Sequence, residues 1–199
     1  SLLAPMLILV RHGQSTANRD GLLVGHLDVA LTDEGQAQAA RLVDSLRGAT
    51  TVLSSPLQRA RHTAAAAVPH QTAELDEAFI EMNYGELDGQ RLADVGGTTW
   101  RQLQSDHEWR VPGGESMADV DRRVHDRLDR LAQEYAPLLA SPDEHVVIFS
   151  HVSPIKSAVA WALGVHGSVA WRIRLENATM TSIGITAGRP TLMHYNVRP

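Results

Sequence analysis

Apolar residues in this chain fall into two spacings. Met6-Leu7-Ile8-Leu9-Val10 and His145-Val146-Val147-Ile148-Phe149 are short runs with almost no polar interruption, the pattern of central strands covered on both faces by helices. Thr51-Val52-Leu53 predicts another short strand, and Ala178–Ile185 and Thr191–Tyr195 alternate like two final strands. Elsewhere the period is helical. Thr32 and Asp33 can cap a helix with an apolar stripe through Ala39, Leu42, Val43 and Leu46, stopped at Gly48. Pro56 opens a helix toward Ala67. From Glu115 to Tyr135, Met117, Val120, Val124, Leu128 and Leu131 share one side, and a further helix runs from about Ser153-Pro154 to about Leu163. The glycine-bearing stretch from Glu81 to Gly114 predicts mostly loop. Strand and helix alternate through most of the chain, so the expected fold is a three-layer α/β/α sandwich with a mostly parallel central sheet. Without repeats, low-complexity tracts or linkers, residues 1–199 are expected to form one domain, with a small cap at 86–114.

Composition narrows the function more than the fold. The chain is 199 residues long, 43% hydrophobic and 21% charged, an ordinary globular balance. Its net charge of −5 contains no block of like charge. A nucleic-acid partner is therefore not expected, because tracking a phosphate backbone needs a basic face. There is no cysteine, which removes thiol chemistry and disulfides. Met6–Val10 is too short to span a bilayer and lacks the basic flank of a signal peptide. No membrane partner and a cytoplasmic address are the expectation; a homodimer is compatible with the chain but not required by it.

Candidate chemistry sits where the two strongest strand runs end. Arg11-His12 follows one directly, and Ser150-His151 follows the other. In open α/β sheets, ligands bind beyond the carboxyl ends of the strands. Two histidines delivered there from separate strands can meet across one crevice, although a lone histidine is more often a packing or surface residue. The histidines show no HExxH pattern or close carboxylate pair, so no metal site and no cofactor are expected.

Leu9-Val10-Arg11-His12-Gly13-Gln14-Ser15 resembles the signature of the histidine phosphatase superfamily, with its phosphoglycerate-mutase-like fold. The resemblance continues in order through Asn18, Gly25-His26-Leu27-Asp28, Ser54-Ser55-Pro56-Leu57-Gln58-Arg59-Ala60, Glu81 with Tyr84-Gly85, Pro112-Gly113-Gly114-Glu115-Ser116 and Ser150-His151. It implies that His12 is a nucleophile forming a phosphohistidine. Arg11 and Arg59 would clamp the phosphoryl oxygens, His151 would stabilise their charge, and Glu81 would be the general acid. Asn18, Gly25 and Val152 fall at substrate-binding positions. Two residues depart from the usual pattern. Val152 stands where the family generally has glycine, and Ala17 stands where its mutases often have tryptophan, which would leave that wall more open.

The implied activity is hydrolysis of a small phosphorylated metabolite. Phosphoglycerate mutases of this kind carry a long insertion after the glutamate motif, whereas Gly89 and Gly113 here are only 24 positions apart. A mutase remains the alternative, followed by a non-catalytic phosphate-binding module, which would have no need of a proton donor.

Overall fold

The computed structural model describes residues 6–135, 144–166, 168–186 and 188–199. The two most apolar runs are adjacent in space. β1 (Met6–Arg11) pairs in parallel with β4 (His145–Ser150), and the register sets Arg11 opposite Ser150. With β2 (Ala49–Ser54), β3 (Glu74–Leu75), β5 (Met180–Thr186) and β6 (Arg189–Val197), they form one sheet in the order β3-β2-β4-β1-β5-β6. The first four strands of that order run parallel, while β5 and β6 are antiparallel additions. The sheet is therefore mixed.

Alternate residues of the central strands feed two cores. Leu7, Leu9, Val146 and Ile148 pack beneath α5 (Met117–Glu134) and α6 (Val152–Leu163). Ile8, Val10, Val147 and Phe149 pack against α3 (Gln58–Ala67) and the segment that follows α2 (Asp33–Ala40). These are the three layers expected. On α5, Val120, Val124, Leu128 and Leu131 are wholly buried, each contributing about 1.5–3 kcal/mol of transfer free energy. The helix starts in a capping box between Ser116 and Asp119.

One expectation needs correction and another needs an addition. The helix predicted from Thr32 to Gly48 ends at Ala40, and Asp44–Leu46 forms a separate 3-10 turn. The amides of Leu42 and Val43 bond to carbonyls three residues back, at 3.1 and 3.3 Å. This tighter winding keeps both Leu42 and Leu46 in the core. Within the stretch read as mostly loop lies α4 (Gly97–Ser105). It begins on a glycine pair without a side-chain cap, so local sequence argues against it. Its place comes from burying Leu103 and from the edge of Trp100 meeting Trp171 at 6.5 Å between ring centroids.

Candidate active site

The parallel register of β1 and β4 brings the two histidines together. Each is the residue after its strand, and the His12 amide donates to the Ser150 carbonyl at 3.1 Å. The rings lie 5.1 Å apart between centroids, tilted by 57°. His12 Nδ1 lies 2.7 Å from the Gly13 carbonyl. A carbonyl only accepts, so Nδ1 carries the hydrogen and Nε2 of a neutral ring holds the lone pair. Burial, then Arg59, then Arg11 hold the His12 pKa well below its ordinary value of 6.5. The ring is thus neutral and nucleophilic at physiological pH.

His151 takes the same tautomer. As the N-cap of α6 it makes no side-chain cap bond; its Nε2 instead meets Ser55 Oγ at 2.7 Å. The Leu57 amide donates to the same Oγ, leaving the Ser55 hydroxyl proton for His151 Nε2. Nδ1 is then a donor, and it is buried without a hydrogen-bond partner. Burial first, then Arg59, His12 and Arg11, keep this ring neutral as well.

Arg59, second residue of α3, is 1% exposed. Its terminal nitrogens donate to the carbonyls of Leu27 at 2.9 Å and Gly25 at 2.8 Å. Arg11 donates to the Leu175 carbonyl. Neither guanidinium forms an ion pair among the described residues, and Nε of each is buried with no partner. Burial pushes the Arg11 pKa down to about 10, against the pull of Glu81, so it remains charged at neutral pH. Two largely desolvated cations that make no direct ion pair cost free energy unless an anion joins them. With His151 Nδ1, their Nε atoms make three unused donors, a set suited to a tetrahedral phosphoryl group.

Glu81 is 5% exposed and stands at the start of α6. Its Oε1 accepts from the amides of Met82 at 2.6 Å and Ser153 at 3.3 Å, which leaves Oε2 free of hydrogen bonds among the described residues. Asn18 turns Oδ1 inward, accepting from the Ser15 amide and hydroxyl and from Asn177 Nδ2, so its Nδ2 remains as a donor. Gly25 serves through its backbone: its carbonyl holds Arg59, and a Cβ there would come within 2.3 Å of the Met82 carbonyl. Val152 is the half-buried first residue of α6. Ala17 is 1% exposed and packed inside α1 (Thr16–Asp20), so it does not open a wall as its small size suggested.

Several residues that hold this arrangement were not singled out by sequence reading. Thr63 Oγ1 accepts from the Gly13 amide at 3.0 Å and donates to the Arg59 carbonyl at 2.7 Å, tying the loop that carries His12 to the helix that carries Arg59. The Asp88 carboxylate gathers the amides of Gly25, His26 and Leu27, which steadies the two carbonyls on Arg59. Arg123 donates to the carbonyls of Ala78 and Glu81 and to the Glu115 carboxylate, bracing the segment that carries Glu81. Asn177 donates to the His12 carbonyl as well as to Asn18. Only Glu115 lay within a motif; the others gave no local signal.

The chain is similar over nearly its whole length to known proteins. It is 29% identical to phosphoserine phosphatase 1 of Hydrogenobacter thermophilus, over 96% of this chain and 92% of the relative. A probable phosphoglycerate mutase of Erwinia tasmaniensis is 31% identical, over 88% and 82% of the two chains. The solved structure of a mycobacterial glucosyl-3-phosphoglycerate phosphatase with VO3 superposes with a TM-score of 0.87 at 27% identity, covering 98% of this chain and 100% of that one. The profile of the histidine phosphatase superfamily (branch 1) matches residues 7–198. This chain therefore belongs to the histidine phosphatase superfamily, branch 1.

Proposed function

We propose that the protein is a phosphatase of small phosphorylated metabolites, working through a phosphohistidine on His12. The observation that carries this reading is a neutral histidine with a free Nε2 set beside two guanidiniums that make no ion pair and whose Nε atoms are buried without partners. In the first step Nε2 attacks phosphorus, the bond to the ester oxygen breaks, and Glu81 gives its proton to the departing alkoxide. Arg11, Arg59, His151 Nδ1 and Asn18 Nδ2 bear the charge on the other oxygens. In the second, water attacks phosphorus, Glu81 takes back a proton, and the bond to Nε2 breaks. His12 returns to its starting tautomer because the Gly13 carbonyl retains the Nδ1 hydrogen throughout.

The short segment at 86–114 favours water over a second phospho-acceptor, which supports hydrolysis above mutase activity. We take residues 1–199 as one domain with that segment as its cap, and place the protein in the cytoplasm as an enzyme of small-molecule metabolism. Among the described residues no helix is long and apolar enough to cross a membrane. A homodimer is an assembly that the open edge of β6 would permit.

Purified protein should release phosphate from a panel of phosphomonoesters at an unchanged rate in excess EDTA, since the arginines supply the positive charge. His12→Ala should lower kcat by at least about a thousandfold. Full activity in that variant, or conversion of 3- to 2-phosphoglycerate in place of phosphate release, would overturn the reading.

A further inference from the structure

Among the described residues, two that are not glycine hold a left-handed backbone, Ala178 at φ +51° and Asn196 at φ +55°. Both serve the turn that leads into β5. β6 carries one extra residue where His194 and Val197 pair with Ser182 and Met180 of β5. From that bulge the Asn196 side chain accepts the Glu176 amide at 2.8 Å, and Thr179 Oγ1 closes the turn on the Glu176 carbonyl at 2.8 Å. A left-handed alanine is costly, and this one is 4% exposed. What the conformation secures is a grip on the residues after β1. The Ala178 amide donates to the carbonyls of Arg11 at 3.1 Å and His12 at 3.2 Å. Asn177 Nδ2 donates to the His12 carbonyl and to Asn18 Oδ1, both at 3.1 Å. The Ser15 amide can only donate, so Asn18 turns Oδ1 to it, and the Asn177 atom facing that oxygen is the nitrogen. Both hydrogens of Nδ2 are thereby used, one on the backbone of His12 and one on Asn18.

We propose that Asn177 is a positioning residue for phosphoryl transfer, whose amide holds the backbone of His12 and the side chain of Asn18 in one frame. This rests on the phosphatase reading above and adds to it a residue that acts through two others. The frame fixes the separation between the attacking nitrogen and a donor to the phosphoryl oxygens, and small errors in such a separation are expensive in rate. Asn18 is the more dependent partner. With Oδ1 taken by Ser15 and Asn177, its Nδ2 is the group left for phosphate. Charge on the phosphoryl oxygens builds during transfer, so a donor held in place stabilises the transition state more than the bound ester. Loss of the frame therefore falls on kcat more than on KM.

Steady-state kinetics on an accepted phosphomonoester test this, with circular dichroism to show that each variant is folded. Asn177→Ala should lower kcat about tenfold and change KM by less than about twofold. Asn177→Asp keeps the shape but sets a carboxylate oxygen against two oxygens that only accept, so its loss should be larger. In an Asn18→Ala background, Asn177→Ala should cost no more than about threefold, because one of the two groups it holds is gone. Asn177→Ser, a milder change that retains one donor, carries the same test should the alanine variant not fold. A purely structural role would lower the urea midpoint and leave kcat of the folded protein unmoved. Asn177→Asp with kcat within about twofold of wild type, or an undiminished loss once Asn18 is removed, would overturn the proposal. If the wild type hydrolyses no ester, the phosphatase reading fails, and calorimetry with inorganic phosphate then judges the frame separately. Affinity weakened about fivefold by Asn177→Ala, as for loss of one hydrogen bond, would uphold it; equal affinity, or no binding by the wild type, would refute it.

Discussion

At the scale of single residues, what suits His12 to the proposed role of nucleophile is the company it keeps. Its own side chain is an ordinary imidazole; the Gly13 carbonyl fixes its tautomer, and Arg59 and Arg11 keep it unprotonated. Thr63 links those two requirements, because one hydroxyl serves both the Gly13 amide and the Arg59 carbonyl. Thr63→Val preserves the volume and removes both bonds. It is expected to lower kcat about tenfold, equivalent to the cost of about 1–3 kcal/mol for leaving the buried Gly13 amide unpaired, with a smaller effect on KM. Steady-state kinetics on any accepted ester would check this, and unchanged kcat would mean that the loop holds its shape without Thr63. The contrast with Arg11, His12, Arg59, Glu81 and His151 is instructive. Those residues sit in short motifs and were legible in the sequence, whereas Thr63, Asp88, Arg123 and Asn177 act across separations as large as the 165 residues between Asn177 and His12. Spacing along the chain carries no trace of such contacts.

At the scale of elements, the two glycines that flank α1 are needed for opposite reasons. A Cβ on Gly13 would lie 2.3 Å from the Gly35 carbonyl, because the nucleophile's loop passes directly against the first turn of α2. Gly21 ends α1 with φ +68° and has open space around its Cα. Gly13→Ala is therefore expected to destabilise the fold by about 3 kcal/mol through backbone overlap and to lower activity sharply. Gly21→Ala should cost only about 1 kcal/mol, from its left-handed conformation, with activity retained. Urea unfolding of the two variants would show the difference; similar midpoints would mean that the loop can move away from α2. The same dependence on neighbours explains the elements that sequence reading missed. α2 was legible from its Thr32 cap but not its end, since the tightening after Ala40 serves the burial of Leu42 and Leu46. α4 starts at a weak helix signal and exists because Leu103 and Trp100 find a surface to cover.

At the scale of the molecule, two neutral buried histidines tie stability to pH. The folded chain keeps His12 and His151 unprotonated at pH values where an unfolded chain protonates both, near their ordinary 6.5. Below that value the unfolded state binds more protons, so stability falls as pH falls, and above it these two groups contribute no slope. Each can contribute up to about 1.4 kcal/mol per pH unit. Denaturant unfolding between pH 7.5 and 5.5 should therefore show a steeper loss for the wild type than for His151→Gln; parallel curves would mean that the folded ring does protonate. Because His12 stays neutral through the same window, activity should persist below pH 6.5 as well. Taken over the whole chain, the sequence by itself determined the central strands, the layered α/β class and the motif residues proposed for the reaction, because apolar period and short motifs are local properties. Only the tertiary structure decided the antiparallel placement of β5 and β6, the winding after α2, the tautomers of the two histidines and the braces on Arg59 and Glu81. Each of these depends on which distant groups come within hydrogen-bond reach, and that is settled by the register of β1 on β4 and the packing of helices over it.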